Sequence, residues 1–172
     1  MYDPGLAILL LWHIGSIVVW LGAALTFSLA LSNPMRSIDP DARKKLFVAF
    51  FPKLSKMLGA ASVSAILAGG ILYGYLTSVD TAHVPNSLGF IFLTIGALLG
   101  LIAAITTLGA ILPQGTKFVK IATGDPSYVK DPESKEGTPD EESMLRGIDS
   151  SLKAVAVILS IAMIVMVLGT NL

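Results

Sequence analysis

Residues 9–27 read LLLWHIGSIVVWLGAALTF, an almost unbroken apolar run with one histidine, His13, near its upper third. A helix needs about 20 apolar residues to cross the hydrocarbon of a bilayer, and this run, extended to residues 5–31, is long enough. It shows no apolar and polar alternation that would favour a strand. Three more such runs follow, over residues 57–77, 88–113 and 152–168. Ahead of the last one, Thr138, Pro139 and Glu141 form a capping box, so the fourth helix is expected over 139–170. The sequence therefore predicts an all-α integral membrane four-helix bundle, with 1–172 as a single membrane domain and connections at 32–56 and 114–147. A composition of 53% hydrophobic and 14% charged residues, with mean hydropathy +0.75, excludes a soluble domain of this size. The first run is too long for a signal-peptide core and has no basic residue before it, so a retained span is expected.

Charge supplies an orientation. Six of the twelve Lys and Arg residues flank the first connection and six flank the third, while the opposite side has none. By the positive-inside rule both connections are cytoplasmic, and the N-terminus, the short connection near residues 79–87 and the C-terminus face out of the cell membrane. Ten of the twelve acidic residues share the basic segments, which read as solvated faces beside lipid headgroups, with no nucleic-acid partner. In the first connection Asp39 caps and Pro40 opens a short helix expected to lie on the membrane surface. Pro52 is expected to end it before the second span starts.

The chain has no cysteine, so disulfides, thiolate metal sites and iron–sulfur clusters are excluded. His13 is the feature that the apolar runs do not explain, because an imidazole in hydrocarbon needs a partner. At 1.5 Å per residue it lies roughly 12 Å along the first helix. The same depth on the other helices falls near Ala68, Gly69 and Gly70, then Gly96 and Ala97, then Ala162 and Met163, with Met166 one turn nearer the surface.

Two readings of this layer are open. In one, small residues let helices approach closely, and His13 bonds to Ser16, Tyr73 or a carbonyl oxygen. In the other, Gly69, Gly70 and Gly96 leave a slot for a flat cofactor, with His13 as axial ligand to haem iron and Met163 as the candidate sixth ligand. Trp20, seven residues from His13 and on its face, and Tyr73 would then contact the cofactor; otherwise Tyr2, Trp12, Tyr73 and Tyr75 form an interfacial belt. His83 is expected to be an exposed loop histidine.

His13, Trp20-Leu21-Gly22-Ala23, Pro34, the segment Asp41-Ala42-Arg43-Lys44-Lys45 and Phe51-Pro52-Lys53-Leu54-Ser55 together resemble the CopD-like family of small membrane proteins. In size and plan the chain is also similar to small archaeal haem b-binding membrane proteins. The resemblance covers mainly the first two helices and implies a four-helix unit that handles copper or haem at its outer face, with His13, Trp20 and Gly22 carried over. The His/Met clusters of copper carriers are missing from this chain.

The expected function is a membrane haem b protein, cytochrome b-like, serving electron transfer with a redox partner or quinol. The alternatives are a copper-handling transporter and a cofactor-free assembly subunit. No catalytic constellation marks an enzyme. Surplus glycines, including Gly15, Gly22, Gly59, Gly74 and Gly109, lead to the expectation of a homo-oligomer, trimer or dimer.

Overall fold

In the computed structural model, which describes residues 4–79, 87–125 and 141–169, the four apolar runs form four long helical rods. The first consists of α1 (Pro4–Leu25), a π-helical segment (Thr26–Leu31) and α2 (Ser32–Ser37). Extended Ile38 turns the chain, and the Asp39 carboxylate then caps α3 (Pro40–Val79), accepting the N–H groups of Asp41 at 3.0 Å and Ala42 at 3.2 Å. This is the cap that the sequence predicts. Ser87 opens the third rod, its Oγ accepting the Phe90 N–H at 3.2 Å. That rod runs through α4 (Leu88–Thr106), a second π-helical segment (Thr107–Ile111) and α5 (Leu112–Ala122). It ends in a Schellman turn: Gly124 takes φ +71°, Gly124 N–H bonds to Ile121 O, and Asp125 N–H bonds to Lys120 O. The last rod is α6 (Glu141–Gly169); Thr138 and Pro139 lie outside the described residues.

All four rods are long and apolar enough to cross a membrane, so the protein is an all-α multi-pass membrane bundle. The 40 residues of α3 would extend about 60 Å, roughly twice the hydrocarbon thickness. Its first half, with Arg43, Lys44, Lys45, Lys53 and Lys56, therefore projects beyond the apolar part. Lys117 and Lys120 of α5 pack beside it at the same end of the molecule, the basic end.

Pro52 corrects one expectation. It neither ends a helix nor separates a surface helix from the second span, because α3 runs straight through it. Proline in a helix interior removes one backbone hydrogen bond and costs about 3 kcal/mol in isolation. Here an aromatic cluster anchors the stretch of α3 just before it. The Phe47 and Phe51 rings stack at 4.8 Å, the edge of Phe118 meets Phe47 at 4.7 Å, and Phe27 closes the cluster at 6.3 Å. All four rings are buried, so the apolar side expected on the membrane surface faces the bundle instead. The third rod likewise passes its expected end at Pro113, where proline occupies the first turn of α5.

Around the bundle α1 packs along α3, α6 packs along α4, and α1 also touches α6. The central core is Leu58, Ile111, Ile148, Leu152 and Val155, each fully enclosed. Contact between α3 and α4 is sparser, and a shallow apolar groove lined by Val63, Leu67, Leu101 and Ile105 separates them.

Candidate functional site

His13 sits on α1 facing α3, and its ring meets the glycine that the depth count places opposite it. A Cβ added to Gly69 would lie 2.6 Å from His13 Cε1, 3.0 Å from Nδ1 and 3.4 Å from Nε2. Only glycine leaves room for the imidazole there. His13 Nδ1 lies 2.9 Å from the Ala65 carbonyl oxygen. A carbonyl oxygen can only accept, so Nδ1 carries the proton, and in the neutral ring Nε2 presents a lone pair. Among the described residues Nε2 has no hydrogen-bond partner, and the side chain is half-buried.

Polar groups around the ring tie the same two helices together. Trp12 donates through Nε1 to Ser64 Oγ at 2.6 Å, and Ser16 donates to Ser64 Oγ at 2.9 Å. Ser64, five residues before Gly69 on α3, carries no signal of its own in the sequence, although Trp12 and Ser16 stand four residues apart on one helix face. Trp12 is thus a helix-joining donor.

The other candidate residues are elsewhere. Trp20 is buried, but its Nε1 donates to Thr107 Oγ1 at 3.2 Å, at the start of the second π-helical segment and roughly 10 Å along α1 from His13. Tyr73 pairs with Thr94 through their hydroxyls at 3.0 Å and packs on Phe90. Gly70 is exposed, with nothing within 4 Å of an added Cβ. Gly96 is buried, but the side chain of Met166, not Met163, fills the space above it, next to the Ala162 carbonyl. Met163 is 38% exposed on the outer surface of α6. His83 lies outside the described residues.

Haem b requires a nitrogen ligand and room for a flat macrocycle. Nε2 meets the first requirement. The glycine layer does not meet the second, because His13 occupies the space at Gly69 and Met166 that at Gly96. The slot expected between the four helices is therefore filled by the protein's own side chains. A macrocycle held by Nε2 would have to lie outside that slot, on the side where His13 is only half-buried. Among the described residues no three His, Asp or Glu side chains come together as a metal-binding group. The chain matches no protein-family model, no curated protein and no solved structure.

Trp20 and Thr107 allow a separate check on the packing. Trp20→Phe keeps the ring but leaves Thr107 bonded only to Ala103 O (2.9 Å). It should destabilise the bundle by about 1 kcal/mol without altering any spectroscopic signal from the His13 site. A loss of cofactor signal in this variant would place Trp20 at the site after all.

Proposed function

We propose that the protein is a membrane haem b protein, a cytochrome b-like electron carrier or haem-based redox component, with His13 as axial ligand through Nε2. One observation carries the reading: one ring nitrogen of His13 is committed to a carbonyl, and among the described residues nothing claims the lone pair of the other. A lone histidine suits a metal that brings its own equatorial ligands. Haem iron is such a metal, whereas a bare copper ion would need several protein donors. The resemblance to small haem b membrane proteins points the same way.

Each neighbour of His13 has a part in this. The Ala65 carbonyl fixes the tautomer and the ring orientation, as second partners of ligating histidines do. Gly69 sets the plane of the ring, and the Trp12–Ser64–Ser16 seam keeps α1 and α3 in register. Haem held by His13 would supply the one-electron chemistry that a redox partner or quinol requires.

The competing reading is that His13 only joins two helices, which its fit over Gly69 favours. An absorption spectrum of the purified protein separates the possibilities. A Soret band supports haem, copper in colourless protein supports the transporter, and neither supports the joining role.

Orientation belongs to the same proposal. Both termini face out of the cell membrane, and the basic end faces the cytoplasm. The chain has no cysteine, so an introduced one is a unique label. Thr170→Cys should react with an impermeant thiol reagent in intact cells, and Ser134→Cys only after lysis. The reverse pattern would invert the topology. A homo-oligomer, dimer or trimer, is proposed from Gly15, Gly22, Gly74 and Gly109, whose faces are open to a neighbour; Gly59 already packs on Leu112 within the chain.

A further inference from the structure

At the basic end, far from His13, a cavity of about 250 Å³ opens between α2, the start of α3 and the start of α6. Phe27, Met35 and Leu145 form its apolar wall, and Arg43, Arg146, Glu142 and Asp149 its charged one. The four lining charges sum to zero, but Asp149 takes its partner from Lys153, outside the wall, which leaves one positive charge over. Glu142 pairs with Arg146 at 2.6 Å, and buried Asp149 pairs with Lys153 at 2.8 Å. Arg43 is half-buried, yet its guanidinium has no hydrogen bond or ion pair among the described residues.

We propose that this cavity binds a phosphate group, with Arg43 as its principal ligand and Arg146 as a second positive charge. A guanidinium presents paired N–H donors that match two phosphate oxygens. A half-buried cation without a partner loses hydration and gains nothing in return until an anion arrives. The apolar wall, at the end of the bundle that carries the basic residues, suits the glycerol portion of a phospholipid; a free phosphate ion would use the same guanidinium. The inference is independent of the haem reading.

The test uses full-length protein stripped of lipid in neutral detergent, with the thermal midpoint read after adding phosphatidylglycerol, diacylglycerol or inorganic phosphate. Phosphatidylglycerol should raise the midpoint of the wild type and diacylglycerol should not. Arg43→Gln should weaken the apparent affinity at least tenfold, and Arg43→Lys, which keeps the charge but not the fork, should weaken it less. Lys56→Gln, an exposed charge at the same end, should behave as wild type. An equal response to inorganic phosphate alone identifies a soluble phosphate as the ligand; a response only to the lipid identifies a headgroup. The proposal is overturned if neither phosphate probe shifts the wild type, or if the Arg43 variants respond as the wild type does.

Discussion

His13→Ala should remove the Soret and visible bands of the purified protein and reduce bound haem at least tenfold, while the chain still inserts at the wild-type level. Alanine is easily accommodated in a membrane helix, and the Trp12–Ser64–Ser16 seam continues to join α1 to α3. His13→Gly with free imidazole supplied should recover part of the spectrum, a rescue that a merely structural role would not give. Gly69→Leu reaches the same end by another route. Its Cβ would occupy the place of the imidazole edge, pushing His13 off the Ala65 carbonyl and lowering haem content several-fold with the ligand still present. Met163→Leu, at an exposed position, should leave the spectrum unchanged. An unaltered spectrum in His13→Ala would end the ligand assignment.

The second large effect lies in the aromatic cluster beside Pro52. A Cβ on Gly115 would overlap the ring of Phe51, which cannot swing away because it stacks on Phe47 and is 1% exposed. Gly115→Ala should therefore destabilise the bundle by about 1–3 kcal/mol through overpacking. Phe51→Ala should cost about 3–5 kcal/mol through the void it leaves. Because the two act on one space, Gly115→Ala should be less harmful when Phe51 is already alanine. Thermal unfolding of the single and double variants in detergent checks this, and strictly additive losses would show that the two residues do not share that space.

The rods and their number were legible because apolar length alone decides them. The depth of His13 was legible too: counting 1.5 Å per residue from each helix end leads to Gly69, which the ring touches. Depth, however, says nothing of rotation about a helix axis. Met163 and Met166 are three residues apart, and only packing decides that Met166 turns inward over Gly96 while Met163 faces out. The same limit hid the partner of Trp20. Its position seven residues from His13 fixes a shared stripe on α1, but Thr107 belongs to another rod, and uniformly apolar helices do not announce their neighbours. Pro52 failed for a different reason. Its local cost is real, but phenylalanines contributed from three rods outweigh it, and such long-range clusters have no signature in the sequence around the proline.

The central claim is that a nitrogen of His13 is bonded to haem iron. The chain has two histidines, so His83→Ala protein grown with ¹⁵N-histidine carries the label at His13 alone. Electron–nuclear resonance of the ferric form should show hyperfine coupling of the iron to one labelled imidazole nitrogen. Bound haem with no coupling to the label, or protein that takes up no haem when it is supplied, would contradict the account.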